Sequence, residues 1–337
     1  MALLAAIVFP AYISVNTEKN DGMNVLVLGG TGFIGRHAVA AVRAQGDAVV
    51  VGTRHPARAG RRFNDLPRAA IRQARFERLL TPDDWRDLLA GCDAVINCVG
   101  ILRQRGRETY QAVHAAAPAA LAEACRQRGL RLVHVSALAL AHPHRSRFLR
   151  SKREGERRLL ASAADVCLVR PSLLDGRGGF GARWIRALAR LPLHLVPGGA
   201  GGRIAAFDVA DLGTALATLV RWPRSPDATL QTFELGGPQA LTMGQFLQAA
   251  RTCRGAAPAR QWQVPATAAR IASHLFDLLH LTPLSFGHWE LMRLDNVPAP
   301  NRLAEVLGRE PRLPPVLSPG SPPLPHRIGT PCTEAPP

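Results

Sequence analysis

The run Gly29-Gly30-Thr31-Gly32-Phe33-Ile34-Gly35 places glycines where a chain can bring bare amide groups against an anion. An apolar stretch, Asn24 to Leu28, precedes it and an alanine-rich stretch, Arg36 to Gln45, follows, which predicts strand, tight turn and helix. In that setting Gly29 permits the turn, Gly32 admits a pyrophosphate to the backbone, and Gly35 lets the helix lie close on the strand. The helix N-terminus then faces the negative charge. A turn that is merely rich in glycine would lack the flanking strand and helix.

The second strand, Asp47 to Gly52, should end beside an adenosine ribose. There the chain offers Thr53, Arg54 and Arg58 instead of an acidic residue. A planar guanidinium pairs with phosphate oxygens, so NADP(H) is the preferred dinucleotide and NAD(H) the alternative. Proton chemistry has fewer candidates. Tyr110 and His114 stand four apart on a predicted helix and share a face, and Cys98 closes the fourth strand. Lysine occurs only at Lys19 and Lys152 among 42 Lys plus Arg. The arginine bias has spared Lys152, whose compact ammonium marks it as a candidate site group.

The segments GGTGFIG, VINCVG, HVSALA, FLRSKREGE, RPSLLDG and FELGGPQALT follow one another between residue 24 and about 245. In this order they resemble the atypical, extended short-chain dehydrogenase/reductases. Within these the chain is most similar to the group around the accessory Rossmann-fold subunit of respiratory complex I, with NmrA-like and epimerase/dehydratase-like proteins further off. The resemblance implies a doubly wound parallel α/β sheet with a small, mainly helical C-terminal lobe for substrate or partner. It also implies a catalytic serine, tyrosine and lysine, which fall here on Ser136, Phe148 and Lys152, while His114 stands where an asparagine is common. A benzene ring has no proton to give, so carbonyl reduction or alcohol oxidation should be severely impaired unless Tyr110 or His114 serves as a displaced acid. By the same resemblance Asn97, Val99, Gly100, Ser136, Lys152, Pro171 and Ser172 join the glycine loop, Arg54 and Arg58 around the cofactor. The implied role is structural, sensing or complex-associated, the alternative being an active reductase, epimerase or dehydratase on a small oxygenated or isoprenoid-like substrate. A membrane, a respiratory complex or a quinone-like ligand is the implied partner.

With 337 residues, 47% of them hydrophobic, the chain can bury a sizeable core without staples. The six cysteines show no metal-like or disulfide-framework spacing, and His142 and His144 lack a second ligand pair, so no metal site is expected. The formal net charge of +17 attracts polyanions, but 5% aromatic content and dispersed arginines argue against nucleic acid. Anionic lipid stays open as a contact. The reading places the protein in the cytoplasm, with a peripheral site at the cytoplasmic membrane face as the alternative.

Along the chain, residues 1–22 read as an N-terminal extension outside the fold. Residues 23–174 and 207–236 form the dinucleotide domain, and residues 175–206 and 237–312 the smaller lobe. A proline-rich, disordered tail is expected over residues 313–337. Thr81 with Pro82 marks a helix start, and Asp208 and Asp211 are assigned to capping and anchoring. Ile271, Leu275, Leu278 and Leu279 recur at helical spacing.

Overall fold

A computed structural model describes residues 22–141, 145–225, 230–279 and 286–318; the N-terminal extension, His142 and His144, and the chain beyond Ser318 lie outside the described residues. Six strands, β1 (Asn24–Leu28), β2 (Ala48–Thr53), β3 (Ile71–Gln73), β4 (Ala94–Asn97), β5 (Arg131–Val135) and β6 (Val166–Pro171), join Leu230–Leu235 in one parallel sheet. Its order is Leu230–Leu235, β6, β5, β4, β1, β2, β3. The chain winds outward from β1 through β2 to β3, then returns beside β1 as β4 and winds the other way. That reversal opens a crevice at the C-terminal ends of β1 and β4, the usual ligand position in such sheets.

Both faces are covered, so the strands read as apolar runs. In β1, Val25 and Val27 enter the core beneath the helices Gly35–Ala44 and Val209–Val220, while Leu26 and Leu28 enter the opposite core with Trp85, Leu121 and Leu159. The buried Asp47 carboxylate ties the layers together: it accepts from the Met23 amide at 3.0 Å and from the Arg221 guanidinium. Thr81 stands at the expected cap position and forms a capping box with Asp84 ahead of the turn Pro82–Trp85. Asp208 caps Val209–Val220 through the Ala210 amide at 2.9 Å, and the fully buried Asp211 anchors Arg309 and Arg312.

Some boundaries differ from the sequence reading. The strand expected to continue from Val166 to Leu174 ends at Pro171, where the Ser172 hydroxyl accepts from the Ala205 amide and donates to the Asn296 carbonyl. The smaller lobe adds two strand pairs to its helices, Leu193–Pro197 with Arg260–Val264 and Arg203–Ile204 with Leu241–Thr242. The chain also stays packed past Arg312: Val316 and Leu317 enter the lobe's core beside Phe246 and Leu247, and the Val316 amide donates to Asp175 at 2.7 Å. Apolar side chains and one buried acceptor outweigh the local proline bias there.

Gly155, in the helix Arg147–Ala161, lies against the irregular turn Gln111–Ala116, and a Cβ on it would stand 1.9 Å from the His114 carbonyl oxygen. Gly155→Ala must therefore push the two segments apart. Its unfolding free energy in urea is expected to fall by about 2 kcal/mol or more. Wild-type stability in this variant would show that the segments do not pack this closely.

Candidate functional site

The glycine loop lies in the crevice between β1 and β4. Gly29 adopts φ 73°, donates to the Gly52 carbonyl at 2.8 Å, and accepts from Gly32 at 2.8 Å. A Cβ on Gly35 would stand 2.2 Å from the Gly29 oxygen, so only glycine lets the helix start this close. The first turn of Gly35–Ala44 has no acidic residue and no side-chain cap. Its partial positive charge is thus left for an external anion.

Beside the loop a cavity of about 160 Å³ is lined by Gly29, Thr31, Gly32, Gly52, Thr53, Arg54, Ala74, Phe76, Cys98, Val99, Gly100, Ile101 and Glu108 among others. Phe76 and Ala74 give it apolar walls, and the hydroxyls of Thr31 and Thr53 lie 3.2 Å apart at its edge. Glycine turn, uncapped helix start, apolar slot and basic rim suit a dinucleotide. A bound nicotinamide would supply the hydride for redox chemistry.

Several residues expected around the cofactor carry structural contacts of their own. Asn97 is fully buried; its Oδ1 accepts from the Val99 amide at 3.0 Å and its Nδ2 donates to His134 Nδ1 at 3.0 Å, so His134 carries its proton on Nε2. It shapes the loop that borders the cavity. The Ser172 hydroxyl is spent on Ala205 and Asn296, and Pro171 is buried at the end of β6. Phe33 packs on the turn at Gly179, whose added Cβ would meet the ring at 2.8 Å, and the Arg36 guanidinium lies 5.5 Å from that ring's centroid. Ile34 packs against the adjoining core as the N-cap of Gly35–Ala44. Arg58 is exposed on Pro56–Arg62 and does not line the cavity. Glu108, His55, Phe76 and Ile101 do line it without having been singled out. His55 follows β2 directly, whereas only the fold brings Phe76, Ile101 and Glu108 to this cavity.

Around Lys152 the expected residues do meet. The Phe148 ring lies 5.5 Å from the His114 ring, 5.8 Å from that of Tyr110 and 5.9 Å from Lys152 Nζ, measured to centroids. Both nitrogens of buried His114 are engaged. Nε2 accepts from the Ile101 amide at 3.1 Å, so Nδ1 carries the proton and donates to Ser151 Oγ at 2.9 Å, which passes its own to the Phe148 carbonyl at 2.8 Å. Burial, helped by the Lys152 charge, holds the His114 pKa well below the usual imidazole value. The ring is thus neutral and bonded through both nitrogens. Tyr110 donates its phenolic proton to the Leu102 carbonyl at 2.8 Å, and burial pushes the Cys98 thiol up to about 12. Ser136 is buried at the end of β5, its amide donating to Val169 at 2.7 Å.

Burial lowers the Lys152 pKa to about 8, partly offset by Glu156. Glu156 is itself buried and paired with Arg170 at 2.6 Å. Lys152 lies beside Gly100 and His114: a Cβ on Gly100 would stand 3.9 Å from both its Nζ and the His114 Nε2.

Residues 29–217 match the family model described as NAD(P)H-binding, and the chain belongs to that family of Rossmann-fold, short-chain dehydrogenase/reductase-like proteins. The chain is 30% identical to a ceramide reductase of Caulobacter vibrioides over 291 residues, 83% of this chain and 88% of that one. It is 28% identical over 228 residues to the mitochondrial NADH dehydrogenase [ubiquinone] 1 alpha subcomplex subunit 9 of Rattus norvegicus, covering 65% of this chain and 58% of the relative. Among solved structures, a UDP-galactose 4-epimerase superposes with a TM-score of 0.60 at 19% identity, over 89% of this chain and 98% of that one. MoeE5 in complex with UDP-glucose and NAD gives 0.59 at 22%, over 86% and 93%. At these identities the structures establish the fold.

A lysine whose folded pKa lies below its unfolded value of about 10.4 destabilises the fold while protonated, and that cost lifts as pH rises from about 8. Wild-type stability relative to Lys152→Met is therefore expected to climb between pH 8 and 10.4 in urea titrations. A difference flat across that window would mean that Lys152 is solvated like any surface lysine.

Proposed function

We propose that this chain binds NADP(H) in the crevice and turns over carbonyl substrates feebly or not at all, so that the nucleotide serves as a structural or sensing ligand. Arg54 at the rim supports NADP(H) over NAD(H). The carrying observation is Phe148. Its ring fills the place of the family's proton-donating phenol, beside a Lys152 ammonium that can still hold ribose hydroxyls. Tyr110 and His114 are bonded elsewhere, which supports reduced turnover further. A ligand at a hundred times its dissociation constant would stabilise the fold by about 2.7 kcal/mol, a physical use that needs no turnover. The likeness to complex I subunits, over 58% of the rat relative, supports a partner in a membrane-bound or quinone-handling assembly and a site at the cytoplasmic membrane face. No helix among the described residues is long and apolar enough to cross a bilayer.

A second reading is favoured by similarity to a ceramide reductase over most of both chains. In it the protein reduces a carbonyl of a long-chain, amphiphilic lipid, and the Lys152 ammonium gives the proton to the nascent alkoxide.

Both readings meet in one assay: NADPH binding by thermal shift, and loss of its absorbance with a long-chain keto-amide substrate, on wild type and Phe148→Tyr. We expect both proteins to bind NADPH and the tyrosine variant to turn over at least about 100-fold faster, the weight of a general acid. A substantial wild-type rate that the tyrosine variant does not exceed would sink the first reading and support the second.

A further inference from the structure

At the rim of the cavity Arg54 does not point into open solvent. Its Nη1 donates to both carboxylate oxygens of Glu108, at 2.5 and 2.7 Å. Glu108 comes from the loop after β4, 54 residues further along, and its side chain is 20% exposed against 53% for Arg54. The loop holds it in place. Arg105 and Glu108 exchange backbone hydrogen bonds at 3.2 and 3.0 Å across a turn with Gly106 at φ 53°, and Gln104 Oε1 accepts from the Tyr110 amide at 2.9 Å. The cavity therefore carries both recognition elements on one ribose-binding rim. A guanidinium suits a 2′-phosphate, and a carboxylate suits a free 2′-hydroxyl, each group occupying the other.

We propose that Glu108 sets the balance between the two dinucleotides: NADP(H) must displace its carboxylate from Arg54, whereas NAD(H) keeps the pair intact and uses Glu108 as a hydroxyl acceptor. The inference rests on dinucleotide binding in this crevice and deepens that reading. A 2′-phosphate entering beside Glu108 meets a like charge as well as losing part of Arg54, so the residue opposes NADP(H) twice. Relief of an exposed ion pair and of one like charge in water are each a few-fold in affinity, and together they set the scale of the effect at about tenfold.

The experiment is a direct titration of the full chain with NADPH and NADH, followed by nucleotide fluorescence, on wild type, Glu108→Gln, Arg54→Ala and the double variant. Glu108→Gln keeps the shape and hydrogen-bonding reach of the side chain. It should tighten NADPH by about tenfold and leave NADH unchanged or weaker. Arg54→Ala should weaken NADPH alone, and in its background Glu108→Gln should have less effect on NADPH than it has alone. A NADPH-to-NADH affinity ratio that stays within about twofold of wild type in Glu108→Gln, with both nucleotides still binding, overturns the proposal. So does a gain for NADPH that is undiminished without Arg54. If neither nucleotide binds the wild type, the dinucleotide reading itself fails and takes the proposal with it.

Discussion

Everything in the crevice depends on one backbone contact, the start of the helix Gly35–Ala44 pressed against the carbonyl of Gly29. No side chain fits in that contact, and its closeness aims the first helical amides at the end of β1. The parallel sheet makes the position useful. Because β4 returns beside β1 after β2 and β3 have gone the other way, the crests of the two strands part there and leave room for a ligand. Moving the helix outward by the width of a methyl group would tilt its amides away from the crevice and widen the slot between Phe76 and the glycine turn.

The second half of the site depends on a similar economy. Gly155 brings the helix bearing Phe148 and Lys152 against the backbone of His114, so that three rings and an ammonium share a small volume. Crowding decides their chemistry. His114 loses water and sits beside the Lys152 charge, which holds it neutral, while two hydrogen bonds fix its tautomer and Glu156 is the counter-charge near Lys152. The apolar ring of Phe148 offers both of them a ring contact but no hydrogen-bonding group. A phenol there would have accepted the lysine's influence and passed a proton onward.

The parts of the structure visible in the sequence are those fixed by short-range pattern. Strand and helix periods, the glycine turn, the capping box at Thr81 and the Asp208 cap are all encoded within a few neighbouring residues. The doubly wound order could be inferred because each apolar run is short and separated by a helical stretch. Longer-range partnerships were invisible. Arg54 reads as a phosphate ligand because its chemistry is evident from its type, but nothing local shows that Glu108 meets it. Asn97 and Ser172 stand at cofactor positions by family pattern, yet their polar atoms go to backbone groups and, for Asn97 Nδ2, to the His134 ring. Val316 and Leu317 sit in a proline-rich stretch whose local composition hides the cavity they fill.

The scarcity of lysine gives the crevice a built-in chemical address. Apart from Lys19, outside the described residues, Lys152 is the protein's sole side-chain amine, and near pH 8 about half of it is the free base. Amine-directed aldehydes and active esters, which react with the unprotonated nitrogen, thus find a single side-chain amine among the described residues, placed beside Gly100 and His114 in an otherwise arginine-coated molecule. Covalent modification at Lys152, read apart from Lys19 and the N-terminal amine, becomes a footprint of access to that cluster, because guanidinium groups stay silent to the same reagents.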